Sequence, residues 1–146
     1  MSATRPLLEE ATTRSIIKAF RDVHRGLGYG HRELIYKIAL ERDLRALGHD
    51  VRREAALMVY YRGEPLTRQN ADMIVDGKVI VEVKAGARLD PTASAQLLGY
   101  LAATDVEVGM ILHFGHEPKF HRMIHENRLK RRIGLTESVK RKPTGS

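Results

Sequence analysis

The apolar residues of this chain change period at Gly48, and that switch constrains the fold more than any other feature. Before it, Thr13 to Arg25 places Ile16, Ile17, Phe20 and Val23 on one helical stripe, and His31 to Leu47 repeats the pattern with Tyr36, Leu40, Leu44 and Leu47. After it the side chains alternate. Val51 to Tyr61 predicts a strand ending at the Arg62-Gly63-Glu64-Pro65 turn, and two short apolar runs, Ala71 to Val75 and Val79 to Lys84, flank Asp76-Gly77-Lys78 as a hairpin. Asp90-Pro91 supplies an N-cap and a first-turn proline, so a third helix is expected over Thr92 to Thr104. Val108, Met110, Leu112 and Phe114 alternate as a further strand, with Lys119 to Ile124 as a candidate last one. The order helix, helix, three strands, helix, one or two strands predicts an α/β domain around a single mixed sheet.

A chain of 146 residues has room for one real core, since domains run to roughly 100 to 200 residues. No apolar run approaches the roughly 18 residues of a membrane span, and the polar opening Met1 to Arg14 is unlike a secretory signal, so a cytoplasmic location is expected. The absence of cysteine removes disulfides, thiol catalysis and thiolate metal sites, leaving oxygen or imidazole to hold any metal. The formal charge is +7, of which +5 lies from Glu126 onward in Arg128, Lys130, Arg131, Arg132, Lys140, Arg141 and Lys142. That tail reads either as an arm for nucleic acid or as a solvated end that maintains solubility. Arg32, Lys37, Arg68 and Arg88 form a second candidate basic surface.

The chemistry is concentrated in Val79-Ile80-Val81-Glu82-Val83-Lys84. In a strand, Val79, Val81 and Val83 face one way while Glu82 and Lys84 emerge together on the other. An edge strand with a charged solvent face would carry the same pattern. Asp72 is a second strand-averse residue in an apolar run, and the hairpin turn decides which face it takes. A two-residue loop would pair it with Val81 and send it away from Glu82. A three-residue loop, a type I turn plus bulge with Gly77 left-handed, is expected to pair it with Ile80 and place it beside Glu82 and Lys84. Two carboxylates and an ammonium on one patch suit a hard divalent cation beside a water or phosphate.

The flanking helices add to this patch. Glu33 shares the inward stripe of Tyr36 and Leu40, where a carboxylate needs a partner or the helix N-terminal dipole. Gln96 and Tyr100, four apart, offer an amide and a phenol on one face, as ordinary packing or as substrate contacts. His113, His116, His121 and His125 crowd the end of the core. Their spacing in a strand argues against a zinc pair and for surface or phosphate-contacting roles.

Gly28, Gly30, Glu33 and Tyr36, then Asp72, Glu82-Val83-Lys84, and Gln96 to Tyr100 together resemble the GxxExxY protein family, a branch of the PD-(D/E)xK nuclease superfamily. The resemblance runs from about Phe20 to about Arg122 and implies a restriction-endonuclease-like core. It divides the chain into a nuclease-like domain, 1–126, and a basic tail, 127–146. By this resemblance Asp72 and Glu82 would hold Mg²⁺ or Mn²⁺ with the carbonyl of Val83, and Glu33 would bind it directly or through water. Lys84 would orient the attacking water, Gln96 and Tyr100 would position substrate, and the reaction would be phosphodiester hydrolysis, with DNA the expected nucleic acid. The chain departs from the family in having Tyr29 where proline is usual between the paired glycines, and His31 and Arg32 before the glutamate. A homodimer would let two sites cut two strands. The alternative is a non-catalytic nucleic-acid-binding module on the same fold.

Overall fold

The computed structural model describes residues 8–130. Among them the elements run α1 (Glu10–Leu27), α2 (Glu33–Ala46), β1 (Val51–Tyr61), β2 (Glu64–Val75), β3 (Val79–Ala85), α3 (Ala93–Ala103), β4 (Val108–Phe114) and β5 (Pro118–Ile124). The sheet order is β1-β2-β3-β4-β5, antiparallel except for β3 and β4, which are parallel and joined through α3. This is the α/β arrangement expected, consistent with a restriction-endonuclease-like core. No helix among the described residues is long and apolar enough to cross a membrane.

Alternation along the strands builds two cores. Val79, Val81 and Val83 join Met110, Leu112 and Phe114 beneath α1 and α2. Ile80 and Ile111 join Leu97, Tyr100 and Leu101 beneath α3. Several boundaries differ from expectation by a residue or more. α1 begins three residues earlier and β2 extends seven residues further back, forming with β1 a long hairpin that outruns β3. The third helix starts at Ala93 because the Asp90 carboxylate accepts the Thr92 amide at 2.9 Å and its hydroxyl at 2.8 Å, holding Pro91 and Thr92 in a turn before the helix.

At Gly109 the Leu97 side chain of α3 sits directly on the β4 backbone. A Cβ there would lie 2.7 Å from Leu97 Cδ1, and Leu97 is fully buried. With no room for Leu97 to give way, Gly109→Ala should cost about 1–3 kcal/mol through overpacking. Urea unfolding of the variant measures this, and an unchanged midpoint would mean the helix lifts freely.

Tyr36, also fully buried, stacks on Phe114 with centroids 4.0 Å apart. Its hydroxyl donates to the Gly28 carbonyl at 2.6 Å and accepts the His31 amide at 3.2 Å, which ties the α1–α2 loop to the core. Tyr36→Phe leaves both backbone groups unpaired and should cost about 1–3 kcal/mol. A chemical-denaturation midpoint equal to the parent's would show that water replaces the phenol without loss.

Candidate active site

The hairpin turn settles where Asp72 lies. Asp76 (φ 56) and Gly77 (φ 65) are both left-handed, and the Lys78 amide donates to the Val75 carbonyl at 2.9 Å. Gly77 adopts the conformation expected, but the tight turn spans Asp76 and Gly77, and Lys78 is the extra residue that shifts the pair to Val75 with Val79. The register continues through Met73 with Val81, which sets Asp72 opposite Glu82 rather than Ile80. Asp72 is thus level with Glu82 and not with Ile80, which corrects the expected partner.

Tertiary contacts hold this turn. The Asp76 carboxylate accepts the Asp50 amide at 2.9 Å and contacts His49 Nδ1 at 2.7 Å and the Thr12 hydroxyl at 3.3 Å. Burial would raise its pKa, but these partners outweigh it and hold the carboxyl below the usual range.

At Asp72 and Glu82 the ladder gives way to side chains. The Asp72 amide donates to Glu82 Oε2 at 3.0 Å, and the Val83 amide donates to Asp72 Oδ2 at 2.7 Å. Each carboxylate thus satisfies the opposite strand's backbone where β2 and β3 part. Glu82 is only 3% exposed. Burial, and then the charge of Asp72, push its carboxyl from 4.5 up to about 7. β3 lies in the middle of the sheet, so the edge-strand account of Glu82 and Lys84 does not apply.

α3 brings the amide and the phenol to the same place. Lys84 Nζ donates to Gln96 Oε1 at 3.4 Å, and the Tyr100 hydroxyl donates to the Asn70 carbonyl at 3.2 Å. Burial raises the Tyr100 pKa, the charges of Glu82 and Asp72 add to the rise, and a hydrogen bond with Gln96 opposes it. Asp72, Glu82, Lys84, Gln96 and Tyr100 therefore share one neighbourhood.

Glu33 is the first residue of α2 and half-buried, one turn before Lys37. Lys37 is the α2 side chain bonded to the carboxylates: its ammonium lies 3.2 Å from Asp72 Oδ1 and 3.0 Å from Glu54 Oε2, with its side chain 12% exposed. Burial would lower its pKa, yet Glu54 and Asp72 more than reverse this and raise it. Glu54 has a positive φ of 53, uncommon for a residue with a Cβ, at the level of β1 beside Asp72. Sequence reasoning assigned Lys37 to a basic surface and passed over Glu54. The only available signal was that Lys37 follows Tyr36 at the rim of the buried stripe.

Of the basic tail, Arg128 pairs with Glu126 at 3.0 Å, and Lys130 Nζ donates to the carbonyls of Thr104 at 2.9 Å and Val106 at 2.6 Å. Arg131, Arg132, Lys140, Arg141 and Lys142 lie outside the described residues.

A hard divalent cation fits this chemistry in part. Two adjoining carboxylates, one of them buried and repelled by the other, would both gain from a positive charge between them. Among the described residues no group of three or more His, Asp or Glu is gathered to hold a metal, so Glu33 does not complete a triad with Asp72 and Glu82.

No curated protein and no solved structure matches the chain. The family model for the PD-(D/E)XK nuclease superfamily does match it, over residues 10–125, a span that takes in both helical layers and all five strands. The chain belongs to the PD-(D/E)XK nuclease superfamily.

Proposed function

We propose that the protein is a metal-dependent phosphodiesterase acting on nucleic acid, with DNA as the expected substrate, and that it falls in the GxxExxY branch. The observation that carries this is the placement of Asp72 opposite Glu82 at the end of the β2–β3 ladder, with Lys84 on the same face. Asp72 and Glu82, with the carbonyl of Val83, would hold Mg²⁺ or Mn²⁺, and Glu33 would reach it through water. Mg²⁺ keeps several waters and needs only one or two carboxylates, which suits so sparse a donor set. The bound cation would supply Lewis-acid polarisation of the phosphoryl oxygens and a more acidic water.

The chain's own residues do the rest. Lys84 orients the attacking water and stabilises charge growing on the phosphate. The water oxygen bonds to phosphorus and gives up a proton to solvent, the ester P–O bond breaks, and the departing oxygen takes a proton from solvent, leaving a phosphate monoester and a hydroxyl. Gln96 stands between Lys84 and Tyr100, so the amide holds the ammonium in line while the phenol borders the strand being cut. Lys37 balances the charge of Asp72 on the α2 side. The basic residues of the tail would add phosphate contacts.

The test is cleavage of single- and double-stranded DNA and RNA in Mg²⁺ or Mn²⁺, with Glu82→Ala and Lys84→Ala beside the parent. Cleavage by the parent that both variants lose supports the reading. A parent that binds nucleic acid and cuts none of the four substrates overturns it in favour of a non-catalytic binding module.

A further inference from the structure

The strand register extends the site sideways across the sheet. Lys84 on β3 pairs with His113 on β4, and His113 with Lys119 on β5, so the three side chains form one row on the α3 face. The row behind it is Glu82, Ile111 and His121. Beyond Lys84 the row opens into a groove of about 420 Å³, whose lining includes Arg88, His113, His116, Lys119 and His121. Glu117, in the β4–β5 turn, is the one carboxylate in the lining. The His113 ring Nε2 lies 2.8 Å from the Gly86 carbonyl, which fixes the loop carrying Arg88 over the groove.

One of the lining rings, His116, carries an aromatic partner from outside the groove. His116 stacks on Tyr29 with centroids 3.9 Å apart and planes 25° from parallel. Tyr29 comes from the α1–α2 loop that Tyr36 anchors, and it is 41% exposed. Tyr29 therefore reaches the groove through His116, which shares the lining with Arg88 and Lys119, and a large part of its ring stays open to solvent.

We propose that this groove binds a single nucleic-acid strand, its phosphates along Lys84, Arg88 and Lys119 and an unpaired base on the Tyr29–His116 stack. Phosphates follow fixed cations whatever the sequence, and every base offers a π-face to an aromatic ring. A base inside a duplex has both faces covered by its neighbours, so a face-on platform takes only an unstacked one. The inference rests on the nuclease reading solely for what happens to the strand at Lys84.

Fluorescence anisotropy in EDTA tests it without cleavage, using the full chain, a labelled oligothymidylate and a duplex of equal length. Tyr29→Ala should weaken single-strand binding at least about fivefold, the size of a lost base stack, and leave duplex binding unchanged. Tyr29→Phe should bind as the parent does. Arg88→Ala and Lys119→Ala should each reduce the salt slope by about 0.7, the increment for one single-strand phosphate. All three positions of change are exposed side chains, and thermal unfolding checks that the four variants fold. Equal single-strand affinity for Tyr29→Ala and parent, or equal losses on single strand and duplex, overturns the proposal. Cleavage assays on the same proteins separate the two readings: a parent that cuts while Tyr29→Ala binds normally defeats only the groove, and a parent that never cuts while the variants lose binding defeats only the nuclease.

Discussion

Lys84→Ala should lower the cleavage rate at saturating Mg²⁺ by about 10²–10³, the usual effect of removing one group aimed at charge that develops in the transition state. The loss should fall on kcat, because the ammonium's contribution is made as the phosphate gains charge, whereas substrate binding is shared with the wider basic surface. Glu82→Ala should cost at least as much for a different reason. It removes one of two carboxylates and leaves the Asp72 amide, now bonded to Glu82 Oε2 at 3.0 Å, without its acceptor. Calorimetric titration with Mn²⁺ distinguishes the two: Lys84→Ala should keep the parent's heat of binding and Glu82→Ala should lose it. Full activity in Lys84→Ala would remove this lysine from the reaction.

The second large effect is on stability against pH without divalent metal. Glu82 titrates at about 7 in the fold against 4.5 ordinarily, because burial and Asp72 disfavour its charged form. Between those values the folded chain holds a proton that the unfolded chain has released. Stability from this group is therefore fully present below about pH 4.5 and falls as pH rises to about 7. The loss should amount to about 3 kcal/mol. Asp76 and Glu41, whose carboxyls are lowered, contribute the opposite slope only near and below their usual pKa, outside this window. Urea unfolding in chelator, parent beside Glu82→Gln, isolates the effect: the variant should gain on the parent by about 3 kcal/mol from pH 4.5 to 7.5. Mg²⁺ added at neutral pH should then raise the parent's Tm more than the variant's, since the ion favours the ionised carboxyl. Parallel stability curves would show that Glu82 is ionised throughout.

The sequence by itself determined the succession of elements, because helical and alternating periods are local and each apolar stripe must be buried somewhere. It also placed Glu82 and Lys84 on one side of a strand and the valines on the other, which follows from the two-residue repeat alone. The edge or centre position of that strand lay beyond it, since order in a sheet is set by the α3 crossover and not by β3's own residues. The register of the hairpin likewise was open, because Asp76-Gly77-Lys78 is compatible with more than one loop. Contacts from Thr12, His49 and Asp50, remote in sequence from Asp76, hold the turn that puts Asp72 across from Glu82. The cation beside Asp72 was also decided by the tertiary structure. Lys37 reaches it because α2 packs against β1 and β3, and Glu54, itself left-handed, meets Lys37 where no local pattern marks it. Lys84, His113 and Lys119 become neighbours only through pairing of three strands, so the row they form exists in the sheet and nowhere in the chain.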